Sequence, residues 1–345
     1  MLLSPCQYTR LIMASGSFLP ARAAFGKLFL ACMTMVGAGT ALAADQWPSR
    51  PVTIMMGFPA GSGVDVIARL LQEPLEKEFG VPVIIDYRSG AGGNLASAAV
   101  ARAQPDGYTL LLGTAATHGI NPAIYKDLPF DVEADFEAIA PLVDVSNALT
   151  INPKIIDVNS VQEFIDEVRA NPGKYSFAST GHGTGTQLAF EEFNAKAGLD
   201  MLHVPYKGGP EALQSVLKGE TCCIFNQVQT VLGQYQAGNV RLLGVSTLDR
   251  VDVVKEVPTI AESGLPGFNS FIWFGLFGPK GMDAETVQRI NAAATKALTE
   301  PSVAKRLVDS GNTVHTSSVA DFRETVRENR EKWAEVVKAA GVKIE

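Results

Sequence analysis

Residues 52–65 read Val-Thr-Ile-Met-Met-Gly-Phe-Pro-Ala-Gly-Ser-Gly-Val-Asp, and this stretch decides the fold class. Its apolar first part, residues 52–58, predicts a buried strand, and the Pro-Ala-Gly-Ser-Gly segment after it predicts a tight loop. Over residues 65–79 the apolar side chains recur at helical spacing until Gly80 and Pro82 end the pattern, which predicts a helix with one buried face. A strand, a short loop and a helix in succession are typical of an α/β protein.

The alternation of strands and helices continues along the chain. Strands predicted over residues 83–86 and 108–113 enclose a helix over residues 94–102, which makes two consecutive βαβ units. Residues 139–152 form an apolar segment long enough to leave one sheet and enter another, and residues 271–277 are placed to carry the chain back. Two crossings imply two α/β lobes joined by a two-strand hinge.

These crossings define the expected domains of the mature protein. We expect a first lobe from residues 44–146 and 268–345, and a second lobe from residues 147–267. Within the first lobe, Glu328 and Lys332 have the i,i+4 spacing of an ion pair on the outside of a helix. The C-terminal part is predicted to be helical over residues 283–299, 302–310 and 318–340.

The first 43 residues have the features of a secretory signal peptide. They carry three basic residues and no acidic residue, followed by the apolar segment 28–36 and the small residues Ala41 and Ala43. The apolar segment is shorter than the roughly 20 residues that span a bilayer. We therefore expect cleavage near Ala43-Ala44 and a periplasmic mature protein.

Composition and motifs exclude several function classes. The chain has 29 basic and 36 acidic residues with no long run of either sign, so the sequence offers no electrostatic footprint for nucleic acid. Cys222 and Cys223 are read as small residues of a buried strand, and the four histidines are scattered. No metal site, cofactor motif or Gly-x-Ser-x-Gly nucleophile elbow is present in the sequence. We therefore expect neither a cofactor nor an enzyme.

The loop of residues 59–65 is the first candidate binding site, because ligands of α/β sheets bind after the strands. Its glycines, Gly61 and Gly63, are expected to adopt positive φ and to turn backbone N–H groups toward an anion at the start of the helix. The alternative is a tight turn in which Asp65 is a helix cap or a first-turn acid. The loop lacks the Gly-Lys-Ser/Thr of a P-loop, which disfavours nucleotide hydrolysis.

The second candidate is the loop of residues 179–186, Ser-Thr-Gly-His-Gly-Thr-Gly-Thr. Its four hydroxyls and free N–H groups suit an oxygen-rich ligand but supply no nucleophile paired with a base. His182 could polarise a ligand or be an exposed turn residue, and Lys207 could bind an anion or be a surface lysine. The other polar groups at strand ends are residues 114–118, residues 206–209 and the pair Asn226-Gln227.

Several short motifs of the mature chain occur in the order and spacing that is typical of one protein family. They are Trp47-Pro48, Pro51-Val52-Thr53-Ile54, Phe58-Pro59-Ala60-Gly61-Ser62-Gly63-Val64-Asp65, Ala68-Arg69, Tyr87-Arg88-Ser89-Gly90-Ala91-Gly92-Gly93, Pro105-Asp106-Gly107-Tyr108-Thr109-Leu110, His203-Val204-Pro205-Tyr206-Lys207-Gly208, Val257-Pro258-Thr259-Ile260-Ala261-Glu262-Ser263-Gly264 and Lys332-Trp333. With them the chain resembles the Bug-type solute receptors of tripartite tricarboxylate transporters over essentially the whole mature protein.

The resemblance implies the type II periplasmic binding-protein fold, with two lobes that close on a small carboxylate. It also implies that the amides of residues 60–63 hold one carboxylate while Asp65 braces the loop. The membrane subunits of a transporter are the implied partners, and we expect a monomer. The implied ligand-binding residues are Phe58, Ala60, Gly61, Ser62, Gly63, Asp65, Thr114, Thr117, Ser179, Thr180, Thr184 and Asn226.

Two positions depart from the family pattern. Ser62 stands where the family commonly has Gly, and Ser89 stands where it often has Pro. Family members also often carry Asp near Asn226. A neutral amide at 226 weakens the case for a ligand with an ammonium group. Citrate, other di- and tricarboxylates and aromatic carboxylates all stay open. The alternatives are a secreted α/β hydrolase or transferase and a ligand-loaded sensor subunit.

Overall fold

The computed structural model describes residues 47–340, so the signal peptide and its cleavage site, as predicted from the sequence, lie outside the described residues. Strand β1 (Val52–Met56) lies between β2 (Val83–Tyr87) and β3 (Thr109–Thr114). It runs parallel to both neighbours. The parallel arrangement confirms the two βαβ units that the sequence predicts.

Two helices connect these strands. Helix α1 (Gly63–Phe79) follows β1, and helix α2 (Asn94–Ala101) follows β2. The Ser62 side chain caps the start of α1, and Gly80 ends it with a φ of 72°, a conformation that costs glycine little. One face of α1, which includes Leu71, is buried against the sheet.

One long strand joins the two halves of the sheet. Strand β4 (Phe136–Ile151) pairs with the antiparallel strand β9 (Phe271–Pro279) as far as Ser146. From Asn147 onward β4 pairs with β7 (Cys223–Gln227) instead. The predicted passage of this segment from one sheet to another, and the return along the second apolar segment, are both confirmed.

We call the half built on β1, β2, β3 and β9 the first lobe and the half that contains β7 the second lobe. The remaining strands and the remaining α-helices of eight residues or more are α3 (Val161–Ala170), β5 (Ser176–Ser179), α4 (Gly185–Ala197), β6 (Leu202–Pro205), α5 (Gly209–Lys218), α6 (Val228–Gln236), β8 (Arg241–Val245), α7 (Ala284–Thr299), α8 (Pro301–Asp309), β10 (Asn312–Val314) and α9 (Val319–Ala340). Strand order is β2-β1-β3-β9-β4 in the first lobe and β4-β7-β5-β6 in the second, with β8 and β10 also paired to β4.

Each lobe has its own apolar core. In the first lobe, helices α1 and α7 cover one face of the sheet, with Ile54 of β1 fully buried between layers. In the second lobe, the Phe177 and Phe190 rings stack 4.1 Å apart between β5 and α4. Cys222 and Cys223 are buried and not disulfide-bonded, as the sequence predicts. Within residues 47–340, none of the helices is both long and apolar enough to cross a membrane.

Helix α9 ties the two lobes together, and here one expectation was wrong. Among the described residues Lys332 forms its ion pair not with Glu328 but with Glu192 of α4, at 3.0 Å from Nζ to Oε2. The Lys332 ammonium group also donates to the carbonyl oxygen of Asn269. Lys332 therefore contacts the second lobe. A carboxylate on a neighbouring packed helix competes with Glu328 for the ammonium group, and here the neighbouring helix provides the partner.

Candidate functional site

The loop between β1 and α1 is held by a buried carboxylate. Asp65, only 3% exposed, accepts hydrogen bonds from the Gly61 N–H at 2.7 Å and from Arg69 Nε at 3.0 Å. The Tyr87 hydroxyl donates to its other oxygen at 2.5 Å. Arg69 in turn donates to Tyr87 at 2.6 Å. These contacts fix the loop to the end of β2.

Electrostatics keep Asp65 ionised. Burial alone would raise the pKa of Asp65, but the hydrogen bonds from Gly61, Tyr87 and Arg69 outweigh it and lower the pKa below its usual value. The same network raises the pKa of Tyr87, through burial first and then through its hydrogen bond to Asp65. The loop is therefore braced by a carboxylate whose charge is already satisfied.

Backbone amides of this loop divide into two groups. The Gly61 N–H donates to Asp65, and the Ser62 N–H donates to the Pro59 carbonyl at 3.2 Å. The N–H groups of Ala60 and Gly63 make no hydrogen bond to any of residues 47–340. Only part of the cradle implied by the resemblance thus has amides available for a ligand.

The two glycines of the loop are needed for different reasons. Gly61 has a φ of 81°, as the sequence predicts. The same expectation for Gly63 was wrong, because its φ is not positive. A Cβ at Gly63 would instead lie 2.6 Å from Nε2 of Gln229 and 3.0 Å from Oε1 of Gln227. The absence of a side chain at Gly63 therefore lets the Gln227 and Gln229 side chains of the other lobe lie close to this loop.

Three loops of the first lobe converge where their strands end. A Cβ at Gly93, after β2, would lie 2.6 Å from the Thr117 methyl group and 3.3 Å from the Phe58 ring. A Cβ at Gly57 would meet the Gly93 backbone at 2.7 Å. The structure thus brings Phe58 and Thr117 together beside the loop that Asp65 braces. This is the edge at which open α/β sheets bind ligands.

The hydroxyls of Thr114 and Thr117 are used within their own turn. The Thr114 N–H donates to Oγ1 of Thr117 at 3.0 Å, and the Thr117 N–H donates to Oγ1 of Thr114 at 3.2 Å. Oγ1 of Thr117 also lies 2.8 Å from Nδ1 of His118. Burial lowers the pKa of His118 to about 3, so this ring is neutral at pH 7. In this structure the two threonines shape the floor of the site.

In the second lobe, Ser179 lies at the end of β5 and is paired with a histidine. Its Oγ is 2.6 Å from Nε2 of His203 on β6 and donates to the Gly181 carbonyl at 3.0 Å. Burial first and the neighbouring His182 second lower the pKa of His203 to about 4. His203 is therefore neutral at pH 7, and it orients the serine hydroxyl. Residue His182 itself is exposed.

The rest of this loop forms a hydroxyl cluster around Thr186. Oγ1 of Thr186 lies 2.8 Å from Oγ1 of Thr180 and 3.0 Å from Oγ1 of Thr184. The Thr184 hydroxyl also donates to the Gly181 carbonyl at 2.7 Å. Thr180 and Thr184 thus lie together at the start of α4 around Thr186, which is one of the four hydroxyls of this loop but not one of the implied ligand-binding residues.

Asn226 is buried and links two elements rather than presenting a free amide. Its Nδ2 donates to the Gly209 carbonyl at 3.3 Å, and its Oδ1 accepts from the Gln227 N–H at 2.9 Å. Lys207 is exposed. Within the described part of the chain, no group of three or more His, Cys, Asp or Glu residues could hold a metal ion.

Three residues hold candidate site residues in place, and the sequence did not assign them this role. Arg69 and Tyr87 brace Asp65, and His203 orients Ser179. The i,i+4 spacing of Asp65 and Arg69 is a signal that the sequence contained. No local signal connects His203 to Ser179, because their pairing depends on the parallel register of β5 and β6.

The chain is similar to known proteins over most of its length. Residues 67–342 match the model of the tripartite tricarboxylate transporter family receptor. The chain is 31% identical to Protein BugT of Bordetella pertussis over 309 residues, which covers 89% of this chain and 94% of that protein.

Two solved structures share the whole fold and carry ligands. Rpa4515 of R. palustris with adipate is 31% identical, with a TM-score of 0.78 over 86% of this chain and 99% of that chain. MatC of Rhodopseudomonas palustris with bound malate is 31% identical, with a TM-score of 0.74 over 84% of this chain and 100% of that chain. The fold is that of periplasmic binding proteins, and these relatives are receptors rather than enzymes. The chain belongs to the tripartite tricarboxylate transporter receptor family.

Proposed function

We propose that this protein is an extracytoplasmic receptor that captures a small carboxylate between its lobes and delivers it to the membrane subunits of a tripartite tricarboxylate transporter. The observation that carries the proposal is the loop between β1 and α1. An ionised, fully partnered Asp65 holds it while the Ala60 and Gly63 amides stay available at the positive end of a helix. Adipate and malate in two structural relatives support a carboxylate as the ligand class.

Each implied site residue has a proposed part in binding. Ala60 and Gly63 hold one carboxylate group through their amides, while Gly61, Ser62 and Asp65 maintain the loop. Phe58, Thr114 and Thr117 form the wall of the first lobe. In the second lobe, Ser179, Thr180 and Thr184 face the ligand when the lobes close, and Asn226 keeps that wall uncharged.

Domain boundaries, export and oligomeric state belong to the same proposal. We place the first lobe at residues 44–146 and 268–345 and the second at residues 147–267, supported by the change of partners along β4. We also propose export with cleavage near Ala43-Ala44, a periplasmic location and a monomeric state. A receptor that delivers ligand from outside the cytoplasm to a membrane complex has to be exported.

A thermal-shift screen of mono-, di- and tricarboxylates tests the ligand class. Binding to the folded state alone adds about 2.7 kcal/mol of stability at a hundredfold excess of ligand over Kd. At this chain length that raises the midpoint by several degrees. We expect at least one carboxylate to do so, and glucose and spermidine to leave the midpoint unchanged. Shifts with sugars or polyamines alone would show that the ligand class is wrong.

Pull-down with detergent-solubilised membranes tests the delivery step. The ligand-loaded protein should retain the transporter's membrane subunits, because delivery requires contact with them. Retention of a sensor kinase in their place would favour the ligand-loaded sensor alternative. The proposed carboxylate site is the same in both cases, so the thermal-shift result stands independently of this outcome.

A further inference from the structure

Helix α6 begins against the loop that holds the proposed carboxylate. The Gln229 Nε2 and Gln227 Oε1 atoms lie 2.6 and 3.0 Å from the position of a Cβ at Gly63, the first residue of α1. Gln227 ends β7 and Gln229 lies in the first turn of α6, so both belong to the second lobe. The two lobes therefore meet at Gly63, beside one of the two available amides.

The first turn of α6 also contacts the first lobe at a second glycine, Gly311. A Cβ at Gly311, between α8 and β10, would lie 3.0 Å from Cγ1 of Val228 and 3.5 Å from the Gln229 backbone nitrogen. A side chain at 311 would press on Val228, and one at 63 would displace the ends of the Gln227 and Gln229 side chains. Two glycines of the first lobe thus allow the start of α6 to approach the β1–α1 loop closely.

The Gln227 and Gln229 side chains form a hydrogen-bonded pair in which further N–H donors stay available. Gln229 Nε2 donates to Gln227 Oε1 at 2.9 Å. The second N–H of the Gln229 side-chain amide and both N–H groups of the Gln227 side-chain amide have no hydrogen-bond partner among residues 47–340. Neither residue carries a charge, and the neighbouring Asn226 is also neutral. The pair is therefore suited to an anionic oxygen that other groups have already brought into the cleft.

We propose that Gln227 and Gln229 are specificity-determining residues that close over the β1–α1 loop and donate hydrogen bonds to the ligand carboxylate held there. The inference rests on the proposed function. It adds a second-lobe contact to the first-lobe cradle and assigns that contact to neutral amides. An anionic ligand then needs no arginine or lysine from the second lobe, and a negative charge at either glutamine opposes binding.

Replacement of Gln229 by Glu tests the proposal with a change of charge at nearly constant shape. Adipate and malate are the probes, titrated by calorimetry against the full mature chain. We expect Gln229→Glu to weaken carboxylate binding at least tenfold, because the new carboxylate lies beside the ligand's. Gln236→Glu, at the exposed end of the same helix, is the matched control and should change Kd less than twofold. Equal Kd values for Gln229→Glu and the wild type would overturn the proposal.

A glycine cycle tests the contact itself. Gly63→Ala places a methyl group against the Gln229 amide and should weaken adipate binding at least threefold. In a Gln229→Ala background the same change should have a clearly smaller effect, because only the longer contact with Oε1 of Gln227, at 3.0 Å, then remains. Gly233→Ala, a helical glycine of α6 with open space around it, should leave affinity unchanged. Additive effects of Gly63→Ala and Gln229→Ala would contradict the contact.

Carboxylate binding by the wild type separates a test of the proposed function from a test of the role of the glutamines. If the wild type binds neither probe nor any carboxylate of the thermal-shift screen, the proposed function and this inference both fall. If the wild type binds a probe and Gln229→Glu binds it equally well, only the role of the glutamines is wrong.

Discussion

Asp65 is a buried carboxylate surrounded by a backbone N–H, a phenol and a guanidinium, and its removal should be costly. Asp65→Asn leaves Tyr87 and Arg69 facing an amide that cannot accept as a charged group does. We expect a loss of about 2 kcal/mol in the free energy of unfolding at pH 7, within the range for hydrogen bonds to charged groups. Urea unfolding of variant and wild type measures it.

The pH dependence of that loss has a definite sign. The pKa of Asp65 is lower in the folded chain than its ordinary value of 3.8. Its stabilisation is therefore complete above that ordinary value and disappears as the pH falls through the lowered pKa. The gap between wild type and Asp65→Asn should stay constant from pH 7 to 5. Asp86→Asn, at a half-exposed side chain on β2, should change stability by less than about 0.5 kcal/mol. A gap that widens on acidification would contradict this assignment.

Ser62 is a helix cap in this structure, which changes what its removal should do. Its Oγ accepts the Asp65 N–H at 3.3 Å, as Ser160 accepts the Glu163 N–H at 3.1 Å at the start of α3. Ser62→Ala and Ser160→Ala should each cost about 1 kcal/mol of stability. Neither should change carboxylate affinity more than threefold in a calorimetric titration. A tenfold loss in Ser62→Ala alone would show that the hydroxyl contacts the ligand.

Single residues also mark the limit of what the sequence predicts. The order Gly61, Ser62, Gly63, Asp65 predicts the loop between β1 and α1 correctly, because glycines and a first-turn acid have local consequences. That this loop binds an anion stays a prediction. Which amides the loop uses itself depends on Tyr87 and Arg69, and the need for glycine at 63 depends on Gln229. These contacts join residues far apart in the chain, so local chemistry alone does not reveal them.

At the scale of elements, strongly patterned segments were predicted to within a few residues and weak ones were not. The apolar segment at 139–152 is part of β4, and the one at 271–277 is part of β9. Helix α6 was missed, because its sequence contains the β-branched residues Val228, Thr230 and Val231 and also Gly233, all poor helix formers. It is stabilised by packing, with Val228 and Val231 fully buried. Strand β10, of three residues, is too short to give a pattern.

The contact between α9 and α4 gives a prediction at this scale. Glu192 is 8% exposed and pairs with Lys332, whose side chain is 34% exposed. Lys332→Met leaves a nearly buried carboxylate without its partner. We expect a loss of roughly 2–4 kcal/mol, somewhat below the roughly 3–5 kcal/mol for breaking a fully buried pair, because Lys332 keeps some contact with water.

A second substitution separates the ion pair from the packing of α9. Glu192→Gln in the Lys332→Met background removes the unpaired charge and should restore most of the lost stability. Chemical unfolding of the four chains closes the double-mutant cycle. Equal stability of the single and double variants would show that the lysine acts through its contact with Asn269 instead.

The two lobes share strand β4, and each contains a histidine with a lowered pKa. We expect these histidines to make the stability of the whole molecule sensitive to acid. His118 in the first lobe and His203 in the second have pKa values lowered to about 3 and about 4. A lowered histidine pKa gives stability that is present above the ordinary value near 6.5 and lost below it. Between pH 6.5 and 5 each histidine should cost up to about 2 kcal/mol. We therefore expect both lobes to lose stability together in this range.

Two matched substitutions should move this acid sensitivity in opposite directions. His203→Gln keeps a partner for Ser179 but removes the titrating ring, so its loss of stability from pH 8 to 5 should be smaller than the wild type's. The pKa of His315 is raised by its hydrogen bond to Asp144. Its stabilisation is thus complete below about pH 6.5 and lost as the pH rises through the raised pKa. His315→Gln should therefore lose more stability on acidification than the wild type. Urea midpoints at pH 8, 6.5 and 5 decide the matter, and parallel profiles for all three chains would show that these rings do not control the response to acid.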